Sequence, residues 1–240
     1  MLGGIQRRIN KFASHVMLPS VARRVKGDSL TYLTNKKLLS LHREMARIRR
    51  DNVPGDFLEF GVALGGSAIL MAQECANHRS FHGFDVFGMI PAPGHEKDDE
   101  KSKARYEEIE SGQSVGLGGE TYYGYRNNLY AEVRATFARY GLPVDQRRVH
   151  LHKGLFSETW PAVAPDIVQV SLAHIDCDWY EPVKFCLDAV APMMSSRGAI
   201  ILDDYNDYGG CRTASDEFLA PHQQQFQVSR QSGHLVLRRT

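Results

Sequence analysis

The chain has 240 residues and a formal net charge of +1 at pH 7, so its length fits one large α/β domain and its overall charge excludes little. The distribution of charge is more informative. Residues 1–50 carry 12 Lys or Arg against 2 Asp or Glu, whereas the rest carries 17 against 26, so a basic element is attached to an acidic domain. The cysteines form no CxxC pair, which argues against a zinc site and favours reduced core thiols in a cytoplasmic protein.

Residues 1–50 are predicted to form a basic helical extension, with a second helix over 34–50. The first helix has basic residues on one side and four apolar residues at helical spacing on the other: Ile5, Ile9, Phe12 and Val16. The first eight residues lack the apolar core of a signal peptide, and no run of the sequence is long enough to span a membrane.

The apolar face of the first helix is too large to leave in water, so residues 1–25 should contact something outside the catalytic domain. One candidate is another subunit, which predicts a homo-oligomer, and the other is an anionic membrane surface. We favour the subunit contact, because one short helix without a lipid anchor binds membranes weakly.

Strand-like and helix-like segments alternate over residues 51–240. Apolar runs predict strands at 57–62, 80–87, 149–152, 168–175 and 199–202, and a hairpin at 225–230 and 234–239. Helices are expected between them, at about 65–76, 126–140, 180–194 and 210–219. This order predicts an α/β fold with a doubly wound, mostly parallel, seven-stranded Rossmann-like sheet that has an antiparallel C-terminal hairpin strand.

Residues 88–124 interrupt this pattern with a long polar, glycine-rich and highly charged segment. A segment of this length inside a compact domain is usually functional or disordered. We interpret it as a mobile lid inserted into the domain of residues 51–240.

Three carboxylates follow two of the predicted parallel strands. Asp176 ends one apolar run, and Asp203 and Asp204 end the next, 27 residues later. Ligands of open α/β sheets bind beyond the carboxyl ends of the strands, and neighbouring strands lie about 4.8 Å apart. The three carboxylates should therefore converge and repel one another, which calls for a hard divalent cation such as Mg²⁺.

A glycine-rich segment joins the first predicted strand to its helix, Glu59-Phe-Gly-Val-Ala-Leu-Gly-Gly-Ser67. Gly61 permits a tight turn, Gly65 lets a ligand approach the backbone, and the helix start at Ser67 offers N–H groups to an anion. Asp85 ends the second strand, where an acid can hold the two ribose hydroxyls of an adenosine. After the third strand, Phe156 or Leu155 could cover an adenine face or simply pack in the core.

Taken together, these motifs resemble the class I S-adenosylmethionine-dependent methyltransferases, and more closely the TylF/MycF/NovP-like sugar O-methyltransferases. The resemblance is carried by Val53-Pro-Gly-Asp-Phe-Leu-Glu-Phe-Gly-Val-Ala-Leu-Gly-Gly-Ser67, Phe81-His-Gly-Phe-Asp-Val-Phe87, Lys153-Gly-Leu-Phe156, His174-Ile-Asp-Cys-Asp-Trp-Tyr180, Ile200-Ile-Leu-Asp-Asp-Tyr205 and Gly210-Cys-Arg-Thr-Ala214 with Asp216. It extends over about residues 31–240, but the predicted lid matches poorly, and substrate choice is located there.

The resemblance implies an S-adenosyl-L-methionine-dependent O-methyltransferase that acts on a hydroxyl of a glycosyl acceptor. It implies that Asp176, Asp203 and Asp204 bind Mg²⁺ or a similar cation, and that Asp176 is also the general base. The cofactor-binding residues that we expect are Glu59, Gly61, Gly65, Ser67, Asp85, Gly154 and Phe156.

Several side chains near these motifs have two readings each. Asp178 either supports a metal ligand or caps a helix. His174 either faces the carboxylates or, as we favour, is a core histidine bonded to the backbone. Arg212 either binds a substrate anion or, as we favour, pairs with Asp207 or Asp216. The tyrosines at 122, 123 and 125 either stack on a sugar or form a solvated aromatic cluster.

Four other functions compete with sugar O-methylation. A catechol O-methyltransferase would also chelate a metal with vicinal oxygens, so the carboxylates alone do not exclude it. A catalytically silent methyltransferase-fold binding protein would not need three intact carboxylates. A nicotinamide oxidoreductase is disfavoured because GxGxxG is missing. A nucleic-acid methyltransferase is disfavoured because the sequence lacks an Asn-Pro-Pro-Tyr type motif, so we expect no nucleic-acid partner.

Overall fold

The computed structural model describes residues 18–75, 79–230 and 233–240. The amphipathic helix predicted around residues 5–16 lies outside this part of the chain. The first described helices are α1 (Ser20–Gly27) and α2 (Asn35–Arg50), and the Thr34 hydroxyl caps α2 by accepting the Lys37 N–H at 3.3 Å. None of the described helices is both long and apolar enough to cross a bilayer.

The described strands form one mixed sheet, which confirms the predicted fold. Its strands are β1 (Asp56–Phe60), β2 (Phe81–Asp85), β3 (Val149–Lys153), β4 (Val170–Ile175), β5 (Met194–Leu202), β6 (Phe226–Ser229) and β7 (Leu235–Arg239). Their order across the sheet is β3-β2-β1-β4-β5-β7-β6. The strands β1 to β5 pair in parallel, and β7 runs antiparallel to both of its neighbours.

Helices cover both faces of the sheet. They are, after α2, α3 (Gly66–Glu74), α4 (Glu100–Glu110), α5 (Leu129–Arg139), α6 (Phe156–Val163), α7 (Tyr180–Val190) and α8 (Gly209–His222). Side chains of α1, α2, α3 and α5 pack in one apolar core, and side chains of α6, α7 and α8 pack in a second. Neighbouring residues Phe57 and Leu58 of β1 enter different cores, because side chains alternate between the faces of a strand.

The carboxyl ends of the three central strands are level with one another. Phe60 of β1 pairs with Ile175 of β4, and Ile175 pairs with Leu202 of β5. The chain leaves these strands at Gly61, Asp176 and Asp203, so these residues emerge side by side. Strand register therefore places the predicted site at one edge of the sheet.

The structure departs from the predicted elements where the sequence is polar. Strand β5 begins at Met194 rather than 199, since Ser195 to Arg197 interrupt the apolar run, and the Ser195 hydroxyl donates to the Pro54 carbonyl at 2.6 Å. Helices α1, α4 and α6 were not predicted. Of the helical extension predicted for residues 1–50, the described part contains α1 and α2, joined by the non-helical residues 28–34, and α2 buries Leu38, Leu41, Met45 and Ile48. Each of the four cysteines is a free thiol.

Candidate active site

A cavity of about 730 Å³ opens at the carboxyl edge of the sheet. Its wall is built from residues that follow β1, β2, β4 and β5, from α2, and from the segment 88–124. Six of the predicted site residues line it: Gly61, Asp85, Phe156, Asp176, Asp203 and Asp204. The lining does not include Glu59, Gly65, Ser67 or Gly154. The volume is typical of a site for small-molecule ligands.

The three predicted carboxylates do converge. Asp176 follows β4, and Asp203 and Asp204 begin a 3-10 turn after β5; one oxygen from each lies within 4.8 Å of the others. Burial, Asp203 and Asp204 raise the pKa of Asp176 well above its ordinary value. Burial and the neighbouring Asp203 raise the pKa of Asp204 to about 6. Both shifts have the same causes: desolvation favours the neutral acid, and each carboxylate is repelled by the negative charges of its neighbours.

Asp203 differs from the other two carboxylates because positive charge faces it. Lys37 Nζ lies 2.7 Å from its Oδ2 and 2.8 Å from Asp207 Oδ2. His174 and His234 each face its Oδ1 from 3.6 Å. Burial alone would raise the pKa of Asp203, but the histidine contacts and the Lys37 charge lower it below its ordinary value.

The donor set suits a hard divalent cation. All three candidate ligands are carboxylates, the oxygen donors that Mg²⁺ and Ca²⁺ prefer. In addition, Asp203 Oδ1 is buried and has no hydrogen-bond partner in the described part of the chain. A cation held by Asp176, Asp203 and Asp204 would compensate the charge that raises the pKa values of Asp176 and Asp204.

His174 and Asp178, two residues before and after Asp176, make contacts that differ from those expected. His174 is a core histidine, as we favoured, but it also faces the carboxylates through Nε2, which lies 3.6 Å from Asp203 Oδ1. Its Nδ1 lies 2.8 Å from Oε1 of Glu59 rather than near a backbone group. Asp178 does not cap α7, whose N-cap is Trp179. Its backbone N–H instead donates to Asp204 Oδ2 at 3.3 Å, and its φ of 59° turns the chain at the cavity wall.

The glycine-rich loop after β1 is shaped by close backbone contacts. Gly61 has a φ of +95°, and a Cβ there would lie 1.8 Å from the Asp176 carbonyl oxygen. Only glycine fits, so this turn joins the loop directly to the strand that carries Asp176. The Gly66 N–H donates to the Leu30 carbonyl at 2.9 Å, so this amide at the start of α3 is already occupied.

Asp85 lines the cavity and also holds the glycine-rich loop. Its Oδ2 accepts the N–H groups of Val62 and Ala63 at 2.8 and 2.9 Å, and its Oδ1 accepts the N–H of Phe87. Burial nevertheless raises the pKa of Asp85. The predicted ribose contact of Asp85 stays a prediction.

The four predicted cofactor-binding residues outside the lining have local roles. Glu59 is fully buried and contacts His174 and Ser67. Gly65 begins α3 with a φ of +88°, and Gly154 turns the chain after β3 with a φ of +146°.

The predicted lid contains α4 and is hydrogen-bonded to the start of two helices beside the carboxylates. Asp98 Oδ1 accepts the Tyr180 N–H at 2.8 Å, and Asp99 Oδ2 accepts the Gly209 N–H at 2.9 Å. Trp179 Nε1 donates to the Pro91 carbonyl at 3.0 Å. These bonds place the lid over the site, and its mobility stays a prediction.

The favoured ion pair of Arg212 is wrong, and one of the two readings left open for the tyrosines does not hold for Tyr122. Arg212 donates to the carbonyl groups of Tyr205 and Asn206 rather than pairing with Asp207 or Asp216. Tyr122 is not part of a solvated cluster, because it is 3% exposed and lines the cavity with Tyr123.

Several cavity-lining residues were not predicted from the sequence, chiefly Lys37, Lys101, Arg105, Trp179 and Tyr208. Trp179 and Tyr208 could have been found, because they lie within a few residues of the carboxylate motifs. Lys37 gave no such signal, because it is 166 residues from Asp203 in the sequence.

A family model described as macrocin-O-methyltransferase (TylF) matches residues 22–230. The chain belongs to the TylF family. This membership confirms the resemblance that the motifs predicted.

Two characterised relatives illustrate the family. The 8-demethyl-8-(2,3-dimethoxy-alpha-L-rhamnosyl)-tetracenomycin-C 4'-O-methyltransferase of Streptomyces olivaceus is 30% identical in an alignment of 187 residues that covers 76% of this chain and 65% of that protein. The mycinamicin III 3''-O-methyltransferase of Micromonospora griseorubida is 31% identical in an alignment of 199 residues that covers 80% of this chain and 71% of that protein. This chain therefore spans about two thirds of the length of these relatives.

The fold agrees with a solved structure of the same kind. The structure of the O-methyltransferase NovP superposes with a TM-score of 0.72 and 26% sequence identity, over 88% of this chain and 82% of that chain. The likeness to NovP confirms the seven-stranded methyltransferase sheet.

Proposed function

We propose that this protein transfers a methyl group from S-adenosylmethionine to a hydroxyl of a glycosyl acceptor and requires Mg²⁺ or a similar cation. The observation that carries the proposal is the convergence of three carboxylates, of which Asp203 and Asp204 are buried, within 4.8 Å of one another in a cavity that also contains the Gly61 turn. The relatives that methylate a rhamnosyl-tetracenomycin and mycinamicin III support a glycosylated natural product as the acceptor.

The carboxylates of Asp176, Asp203 and Asp204 are the proposed ligands of the cation. When bound, a divalent cation lowers the pKa of a sugar hydroxyl, which is otherwise too high for the oxygen to be a good nucleophile. The residues around it fix the acceptor oxygen relative to the methyl group, and such positioning can contribute about 7–11 kcal/mol to catalysis.

Asp176 is the proposed general base because it lies between the proposed cation site and the glycine-rich loop after β1. The Asp176 N–H donates to the Phe60 carbonyl at 2.8 Å, and the Gly61 turn packs on the carbonyl of Asp176. Asp176 therefore adjoins the glycine-rich loop that we expect to bind S-adenosylmethionine. In the reaction, the acceptor oxygen bonds to the methyl carbon while the carbon–sulfur bond breaks and S-adenosylhomocysteine leaves. The hydroxyl proton passes to the Asp176 carboxylate.

The lid supports this chemistry by keeping water away from the acceptor. Its bonds to α7 and α8 through Asp98 and Asp99 hold it beside the carboxylates. Tyr122, Trp179 and Tyr208 supply aromatic surface in the cavity for a sugar ring to pack on.

A transfer assay with labelled donor tests the proposal directly. The protein is offered glycosides and catechols, each with Mg²⁺ and with excess EDTA. We expect labelled glycosides only in the presence of the cation. Labelled catechols would replace the sugar reading with the catechol alternative, and no transfer to either class would favour a silent binding protein.

A further inference from the structure

A buried chain of polar side chains runs behind the carboxylates. His174 Nδ1 lies 2.8 Å from Glu59 Oε1, and its Nε2 lies 3.6 Å from Asp203 Oδ1. His234 faces the same oxygen through Nδ1 at 3.6 Å, and its Nε2 lies 2.8 Å from the Ser40 hydroxyl. Glu59, His174 and His234 have no exposed surface, so this row of polar side chains lies in the protein interior.

Several atoms around Asp203 Oδ1 have no hydrogen-bond partner among the described residues. Among the described residues, Asp203 Oδ1, His174 Nε2 and His234 Nδ1 are all buried without a hydrogen-bond partner. Buried polar atoms are nearly always bonded, so three unpaired ones that face one another need an explanation. The other oxygen of Asp203 is already paired with Lys37, so the two rings border the oxygen that remains available to a cation.

We propose that Glu59 and His174 are positioning residues for the cation site. Glu59 fixes the orientation of the His174 ring, and this ring together with His234 holds the Asp203 carboxylate in its place beside Asp176 and Asp204. The inference rests on the proposed function, because it assumes that Asp203 binds the cation.

This role differs from the one that the family resemblance implied for Glu59. A donor-binding Glu59 should reach the cavity, but Glu59 has no exposed surface and is outside the cavity lining. Its contacts are to His174 and to Ser67 instead. Groups that orient a ligating side chain from behind commonly change metal affinity when they are altered.

The substitution Glu59→Gln separates the two roles, because it keeps the shape of the side chain and removes the negative charge that pairs with the His174 ring. Calorimetry would measure Mn²⁺ binding and, separately, S-adenosylhomocysteine binding. We expect Mn²⁺ affinity to fall about 10- to 100-fold and S-adenosylhomocysteine affinity to stay unchanged. The opposite pattern, or no change in either affinity, would overturn the inference.

A pair of substitutions at His174 decides the matter if Glu59→Gln does not fold. In His174→Asn the amide can still meet Glu59 but is too short to reach Asp203, whereas in His174→Gln the amide reaches toward Asp203. We expect Mn²⁺ binding to be lost in the Asn variant and largely restored in the Gln variant. Equal losses in both variants would indicate a role in stability alone and would overturn the inference.

The wild-type protein distinguishes this inference from the proposed function. If it binds neither Mn²⁺ nor S-adenosylhomocysteine, the proposed function and the inference both fail. If it binds both and Glu59→Gln binds Mn²⁺ as well as it does, the inference alone fails.

Discussion

Replacing Lys37 with methionine tests the charge balance behind the site. The side chains of Lys37 and Asp203 are 10% and 5% exposed and lie 2.7 Å apart, so the methionine would leave the buried Asp203 carboxylate without the ammonium group that pairs with it. Removing one partner of a buried ion pair typically costs about 3–5 kcal/mol. The contact with Asp207 adds little, because that carboxylate is 47% exposed and water screens it.

We therefore expect Lys37→Met to lower the midpoint of thermal unfolding by about 6–20 °C, since each kcal/mol corresponds to about 2–4 °C in a chain of this size. The assay is thermal and urea denaturation in EDTA, so that no added cation replaces the ammonium. Lys36→Met is the matched control, because Lys36 is exposed on the same helix and should change stability by less than about 0.5 kcal/mol. Equal stability of the two variants would refute the reasoning.

Three further predictions test other parts of the molecule. Asp85→Ala should weaken S-adenosylhomocysteine binding about tenfold or more, and unchanged affinity in calorimetry would remove Asp85 from the donor site. Burial, His150 and His152 lower the pKa of His82 to about 3, below its ordinary 6.5. As the pH falls, His82 is protonated in the unfolded chain near pH 6.5 but stays neutral in the folded protein, so the free energy of unfolding should fall by roughly 2 kcal/mol between pH 7 and pH 5. Urea titrations of His82→Gln should show a weaker dependence of stability on pH, and the same dependence as the wild type would contradict this prediction. Deleting residues 1–17 should reduce the oligomer mass in light scattering but leave donor binding intact, whereas loss of liposome binding at constant mass would favour the membrane contact.

The sequence was sufficient for the sheet and for the carboxylates, for a clear physical reason. Buried parallel strands are continuous apolar runs, and each run that stops at an acid marks the edge where ligands bind. Asp176, Asp203 and Asp204 were found in this way. The helix-like segment between the two runs predicted that their strands are parallel neighbours, which is what brings the carboxylates together.

The remaining features depend on contacts that no local pattern encodes. Lys37 reaches Asp203 from a helix far away in the sequence, and Glu59 turns toward His174 although its motif suggested a donor contact. Helix α4 was hidden in a charged segment, because helix α4 buries only Ser102 and Ile109 and therefore lacks a strong apolar stripe. Tertiary contacts decided each of these cases.

The most direct test of the central claim is the rate of methyl transfer to a glycoside before and after complete removal of divalent cations. We expect transfer to stop when the metal is removed and to return when Mg²⁺ is added. With Mg²⁺ present, Asp176→Asn should lower kcat by about 10²- to 10⁴-fold and still bind S-adenosylhomocysteine. Full turnover by the wild-type protein in excess EDTA, after the metal content has been verified, would contradict the account.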